Sequence, residues 1–223
     1  NSDGEYVTLN GNQTGVLLCD FIMRKSAIPQ EPVVVKTIVT TEMVKAIAEN
    51  YNARLIDVLT GFKFIGEQIK LLEDQGCPEN YMFGLEESYG YLKGTYARDK
   101  DAVVASMLIA ELAADCKANG MTLYDKLLEL YSKYGFYLES LETKTLKGID
   151  GQRQINEIMN KFRTQQLPFE VLELKDYSKG IDGLPCSDVL KFFLKGNAWF
   201  AVRPSGTEPK IKFYFGVCGT TEE

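Results

Sequence analysis

The chain has 223 residues, 25 Lys and Arg against 31 Asp and Glu, a net charge of -6, and hydrophobic and charged fractions of 45% and 25%. These proportions exclude disorder, a fibrous architecture and the broad positive field that a nucleic-acid backbone requires, so an anionic ligand must be held by a local cluster. Cys19, Cys77, Cys116, Cys186 and Cys218 are scattered and no histidine is present, which leaves no zinc-site spacing and points to reduced thiols. No apolar stretch approaches the roughly 20 residues that cross a bilayer, so neither a membrane nor a nucleic acid is expected as a partner, and a cytoplasmic location is. The opening Asn1-Ser2-Asp3-Gly4-Glu5 has no signal-peptide pattern and no initiator Met, which suggests processing or a piece of a longer polypeptide.

In chain order, Tyr6 to Leu9 reads as a strand leading into a helix within Gly11 to Lys25. Val33 to Val39 is a β-branched run that suits a strand covered on both faces. Thr40-Thr41-Glu42 reads as a helix start, and Val44, Ile47 and Ala48 in Met43 to Tyr51 recur at helical spacing. The pattern then repeats: a short strand over Arg54 to Val58, a loop over Leu59-Thr60-Gly61-Phe62-Lys63, and a helix over Phe64 to Asp74 that Gly76 ends. Tyr81 to Phe83 is a third strand, Gly84 to Lys100 a loop, Ala102 to Lys117 a long apolar helix, and Leu123 to Lys133 a further helix.

Strand and helix alternating in this way imply right-handed βαβ crossovers and a mainly parallel sheet. The loops after Val39, Val58 and Phe83 should then emerge together at the carboxyl ends of the strands, where open α/β sheets bind ligands. Charged, Thr- and Gly-containing sequence over Tyr134 to Gly151 suggests a boundary. Beyond it Asp150 is expected to cap a helix running through Phe162, followed by strands at Phe169 to Leu174, Leu190 to Leu194, Trp199 to Val202 and Ile211 to Val217. The expected fold class is therefore α/β: a mainly parallel-sheet βαβ domain over residues 1–133, then a small α+β domain with a mainly antiparallel sheet over residues 134–223.

Four polar segments carry chemistry. Arg203-Pro204-Ser205-Gly206-Thr207-Glu208-Pro209-Lys210 lies between two apolar strands and offers a guanidinium fork, two hydroxyls and a glycine backbone, the donor set a phosphate dianion needs. A plain turn with Arg203 and Lys210 solvated is the alternative. In Gly84-Leu85-Glu86-Glu87-Ser88-Tyr89-Gly90, Glu86 and Ser88 stand two apart, so extended backbone would point them the same way, an acceptor beside a hydroxyl suited to adjacent sugar hydroxyls. The alternative is a surface acidic turn. Gly61 permits close backbone approach and Lys63 can supply charge, though the same residues also make a helix-start turn with Phe62 only packing. In Arg98-Asp99-Lys100-Asp101, Asp101 caps the following helix and leaves Lys100 to a ligand, or the run is a solvated one.

The unbroken Arg203–Lys210 octapeptide closely resembles the phosphate-binding loop of the α-D-phosphohexomutases, the phosphoglucomutase/phosphomannomutase family. The other segments resemble, in order, its sugar-binding Gly-Glu-x-Ser loop, its Thr-Gly loop and its Arg-Asp/Glu-Lys-Asp segment. The resemblance covers essentially the whole chain and corresponds to the third and fourth domains of a four-domain enzyme. It implies that Arg203, Ser205, Gly206, Thr207 and Lys210 grip the phosphate that is not being transferred. It likewise implies that Glu86 and Ser88 hold the hexose 3- and 4-hydroxyls and that Gly61, Phe62, Lys63 and Lys100 meet the sugar and its phosphate. Leu85 and Tyr89-Gly90 depart from the usual Gly and Gly-His, a form resembling a bacterial phosphoglucomutase branch, and Glu87 stands where phosphoglucosamine mutases usually have Gln.

The family's phosphorylated Ser-His-Asn-Pro serine and its Asp-x-Asp-x-Asp magnesium loop do not occur in this sequence. The resemblance thus implies a substrate-binding half, with no catalytic residue and no metal site here, inactive by itself. The full-length phosphoglucomutase would use Mg2+ and the missing N-terminal domains. It would interconvert glucose 1-phosphate and glucose 6-phosphate through a hexose 1,6-bisphosphate. A phosphomannomutase, or a non-catalytic module that binds phosphohexoses, remains the alternative at this stage.

Overall fold

The computed structural model describes residues 3–146, 149–206 and 208–220. The chain divides into two compact units, Asn1–Phe136 and Tyr137–Glu223. No helix of the described residues is long and apolar enough to cross a membrane.

The first unit runs α1 (Gly11–Lys25), β1 (Val33–Thr37), α2 (Met43–Asn50), β2 (Arg54–Val58), α3 (Phe62–Asp74), β3 (Tyr81–Glu86), β4 (Gly90–Leu92), α4 (Ala102–Ala118) and α5 (Leu123–Tyr134). Its sheet has the order β2-β1-β3-β4, with β1 parallel to both neighbours and only the short β4 antiparallel. Every residue of β1 is buried, as a central parallel strand covered on both faces requires. Successive residues of β3 show which helix covers which face. An ideal Cβ on Gly84 would meet Ile65 of α3, whereas Leu85 lies against Gly15 of α1. The α3 face is filled by Val33, Val35, Val58, Ile65, Ile69 and Leu72.

Caps place the helices. Asn10 and Gln13 form a reciprocal capping box at α1, Thr122 and Asp125 do the same at α5, and Asp101 accepts from the amides of Val103 and Val104 at α4. The second unit holds β5 (Phe136–Thr145, beginning at the division), α6 (Ile149–Thr164), β6 (Val171–Asp176), β7 (Leu190–Leu194), β8 (Trp199–Pro204) and β9 (Lys210–Gly219). The sheet order is β5-β9-β8-β7-β6, and the β6–β7, β7–β8 and β8–β9 pairs are antiparallel. Ile155 and Met159 of α6 pack on Leu190, Phe192, Phe200, Val202 and Ile211, and the Phe192 and Phe200 rings stack at 4.3 Å. The class is the expected one, a mainly parallel α/β unit followed by a small, mainly antiparallel α+β unit.

Several local expectations are corrected. Tyr6–Leu9 is not a strand: Tyr6 is fully exposed and the segment joins no ladder among the described residues. The β1 strand stops at Thr37, because residues 38–41 turn toward α2, and α3 begins at Phe62, so Phe62 and Lys63 are helical rather than loop. The third strand continues to Glu86 and folds back as β4, a three-residue strand too short to show a period. The region assigned to a boundary contains β5, an edge strand so exposed that its charged residues resemble linker sequence. Asp150 lies inside α6, in the first turn, and pairs with Arg153 rather than capping. The next strand starts at Val171, and β8 and β9 extend through Arg203-Pro204 and from Lys210, which shortens the loop between them.

The close approach of α3 to β3 is testable. An ideal Cβ on Gly84 would stand 2.3 Å from Tyr81 Oη and 2.4 Å from Ile65 Cγ2, so Gly84→Ala should destabilise the protein by about 2 kcal/mol through overpacking. Urea denaturation reads the effect, and an unchanged midpoint would show that α3 can move aside.

Candidate functional site

The parallel pairing of β1 with β2 and β3 brings three connections to one edge of the first sheet: the β1–α2 turn, the β2–α3 turn and the β3–β4 hairpin. Glu86 ends β3 at that edge and is 9% exposed. Its Oε1 accepts from the Gly61 amide at 2.8 Å. Gly61 has a φ of 122°, a conformation L side chains rarely adopt, and precedes α3 without any side-chain cap. Burial, reinforced by Glu87, outweighs the Gly61 amide and Lys100 and pushes the Glu86 carboxyl above the usual carboxylate value.

Around Gly90 the expected residues come together. A Cβ placed there would lie 3.2 Å from Glu86 Oε2, 3.3 Å from the Phe62 ring and 3.4 Å from the Lys100 stem. Phe62 is buried, and Lys100 is exposed with its ammonium 3.2 Å from Asp99. Asp101 caps α4 and also accepts from Tyr96 at 2.6 Å. Lys63 departs from this group, its ammonium lying 4.7 Å from the centre of the Phe64 ring. Ser88 is exposed in the hairpin turn 87–89, so the extended-backbone reason for pairing it with Glu86 does not hold: the chain reverses at Glu87. Tyr89, also in that turn, has a φ of 62°, and its hydroxyl donates to the Leu9 carbonyl at 3.1 Å.

Residues not singled out from the sequence hold this edge. Lys36 on β1 has no exposure, and its ammonium reaches Asp57 at 2.9 Å, Glu42 at 3.3 Å and the carbonyls of Thr40 and Thr37 at 3.3 and 3.4 Å. Burial alone favours the neutral amine, but Asp57 and Glu42 together hold the pKa above the ordinary lysine value. The Thr37 and Thr40 hydroxyls are 2.8 Å apart, and Glu87 Oε2 lies 3.3 and 3.4 Å from them. A lysine inside an otherwise apolar strand was the available signal. The start of α1 fits the same edge: an ideal Cβ on Gly11 would be 1.8 Å from the Glu87 carbonyl, Tyr91 donates to the Gly11 carbonyl at 2.7 Å, and Asn12 accepts from the Thr41 amide at 3.1 Å.

In the second unit, half-buried Arg203 lies near the end of β8 and makes no side-chain hydrogen bond or ion pair among the described residues. Directly across the ladder stands Lys212, and like charges so placed are unfavourable unless an anion screens them. The Ser205 amide donates to the Lys210 carbonyl at 2.8 Å, and the Lys210 ammonium meets Glu208 at 3.0 Å. Gly206 is exposed, with open space where a Cβ would be. Thr207 lies outside the described residues. Arg203 and Lys212 thus set two cations side by side on the β8–β9 ladder, and Lys212 was not singled out from the sequence pattern.

The raised Glu86 pKa has a defined sign. The folded state keeps this proton to higher pH than the unfolded state does, so stability falls as pH rises from the unfolded pKa through the folded one, and the group is neutral to stability below both. Glu86→Gln retains an acceptor for Gly61 and removes that fall. The variant's stability relative to the parent should therefore rise as pH climbs above the ordinary carboxylate pKa, and parallel curves would contradict the assignment.

Comparison with known proteins places the chain. Residues 10–134 match the family model described as phosphoglucomutase/phosphomannomutase, alpha/beta/alpha domain III, and residues 149–223 match that for the C-terminal domain. A phosphoglucomutase of Staphylococcus aureus is 37% identical over 227 residues, a match covering 95% of this chain and 40% of the relative. The chain thus spans about 40% of the length of the curated relatives it matches. Among solved structures, the open form of pp63/parafusin, a phosphoglucomutase from Paramecium, has a TM-score of 0.70 at 18% identity, covering 97% of this chain and 38% of that one. An Aspergillus fumigatus N-acetylphosphoglucosamine mutase in complex with glucose 1,6-bisphosphate has a TM-score of 0.50 at 14% identity, covering 98% and 42%. The structural likenesses are of fold, whereas the two family models take in nearly the whole sequence, and by that measure the chain belongs to the phosphoglucomutase/phosphomannomutase family.

Proposed function

We propose that this chain is the substrate-holding half of a phosphoglucomutase, which interconverts glucose 1-phosphate and glucose 6-phosphate through a hexose 1,6-bisphosphate and an enzyme phosphoserine. The observation that carries this reading is the convergence of Glu86, Phe62 and Lys100 on Gly90, in a chain whose curated relatives are phosphoglucomutases. Glu86 presents Oε2 beyond the Gly61 contact, an acceptor for a sugar hydroxyl, and Ser88 in the exposed turn supplies a second polar group for its neighbour. Lys100 adds positive charge beside them. Arg203, Ser205, Gly206, Thr207, Lys210 and Lys212 hold the phosphate that is not being transferred, the cross-strand pair Arg203 and Lys212 being relieved by the dianion. Gly61 borders the sugar at the start of α3, and Lys63 would have to leave its place over the Phe64 ring to meet the ligand.

The substrate must be held both ways round, and groups that read the 3- and 4-hydroxyls and a distal phosphate serve either orientation. Ligand chemistry of this class, glucose 1,6-bisphosphate, accompanies the Aspergillus neighbour. The family's magnesium does not fit the described residues: Asp101 is committed to α4 and Tyr96, Asp99 to Lys100, and no group of three candidate ligands is present among them. On this reading the residues of this chain bind and orient the substrate.

In the full-length polypeptide, Arg203→Ala should lower kcat/KM for glucose 1-phosphate about 100-fold, the value of a lost charge-assisted phosphate contact. The 223-residue chain alone should convert none. A full-length protein that lacks mutase activity, or prefers mannose 1-phosphate by kcat/KM, overturns the glucose assignment, and conversion by the isolated chain overturns the division of labour.

A further inference from the structure

Glu86 and Glu87 are adjacent carboxylates with different partners. Glu86 faces the β2–α3 turn through Gly61, whereas Glu87 faces the β1–α2 turn through Thr37 and Thr40. Both threonines are completely buried, and their two protons serve three contacts, so one hydroxyl donates to the other while the second donates to Glu87. The β1–α2 turn is in turn fastened to the end of β2. Lys36 binds the Thr37 and Thr40 carbonyls together with Glu42 and Asp57, and the Ile38 amide donates to the Val58 carbonyl at 2.8 Å. From Val58 only Leu59 and Thr60 separate β2 from Gly61.

These contacts form a closed circuit: Glu86 to Gly61, back along β2 to Asp57 and Lys36, through the Thr37–Thr40 turn to Glu87, and across one peptide bond to Glu86. We propose that Lys36, Thr37, Thr40 and Glu87 are positioning residues whose circuit fixes the aim of the Glu86 carboxylate, so that discrimination among sugar hydroxyls depends on two buried threonine hydroxyls. The effect on the sugar rests on the role proposed for Glu86; the circuit itself does not. Each of the four residues acts through another, and Glu86 is the one that meets ligand.

The test uses the full-length polypeptide with Thr37→Val/Thr40→Val, which keeps side-chain shape and removes both donors, and Thr37→Ser/Thr40→Ser, which keeps the hydroxyls. Amide exchange at Gly61 should accelerate about tenfold in the valine pair, the loss expected for one such hydrogen bond, and return toward the parent rate in the serine pair. The preference in kcat/KM for glucose 1-phosphate over its 3-deoxy and 4-deoxy analogues should fall by a similar factor, again with serine rescue. Glu87→Ala, at a half-buried hairpin residue, carries the same measurements should the valine pair not fold. Unchanged Gly61 exchange in these variants overturns the circuit. Altered exchange in a protein that turns over no hexose phosphate leaves the circuit standing and removes the mutase reading, while altered exchange with unaltered preference between the analogues overturns the link to Glu86.

Discussion

A lysine ammonium shut away from water is the constraint on which the first unit depends. Desolvating such a charge costs several kcal/mol, and Lys36 recovers this only with Asp57, Glu42 and the two turn carbonyls in place. Asp57 is its register partner on the neighbouring parallel strand, and a slip of one residue would carry that carboxylate to the opposite face of the sheet. The pairing of β1 with β2 is therefore selected by charge as well as by apolar burial. The height at which the turns leave the sheet, and with it the position of Gly61 beneath Glu86, follows from that register.

The second unit separates its tasks by strand alternation. One face of β8 and β9 supplies Phe200, Val202, Ile211 and Phe213 to α6, and the next residues along, Arg203 and Lys212, stand opposite each other on the other face. The aromatic layer on α6 supplies burial that does not depend on the cations, so the sheet can tolerate an unfavourable like-charge neighbour.

Much of this was legible in the sequence because local and tertiary preferences agree. Asp101 has the cap position, side chain and following apolar run of a helix start, and α4 begins after it; Leu190–Leu194, apolar but for Lys191, has bounds that coincide with β7. What escaped was decided by tertiary context. Gly90–Leu92 pairs only because Glu87 to Tyr89 reverse the chain, and β5 is held at a sheet edge while most of its side chains face water. At the candidate site, Glu86 and Lys100 were found as chemical types in a recognisable spacing. Lys36, Thr37 and Thr40 were hidden in a β-branched run, where burial, and not composition, gives a lysine its meaning. Lys63, found by the same kind of spacing, lies over Phe64 because α3 starts earlier than the loop reading placed it.

The junction of Gly11 with the hairpin has a consequence for the order in which this protein assembles. The Tyr91 hydroxyl and the Gly11 carbonyl that receives it are 80 residues apart, and the backbone of Glu87 closes on a glycine that leaves no room for a side chain. Such a contact closes a loop of 80 residues, and the entropy of that closure must be met before the contact contributes. The helices and the β1–β2 pair are local, whereas the seating of the hairpin that carries Glu86 is non-local, as is the approach of α1 to α5, where Gln13 donates to Tyr131 across 118 residues. The edge that gathers Glu86, Gly61 and Gly90 is therefore closed by contacts distant in sequence, and a nascent chain must have both ends of the first unit in hand before that edge is complete.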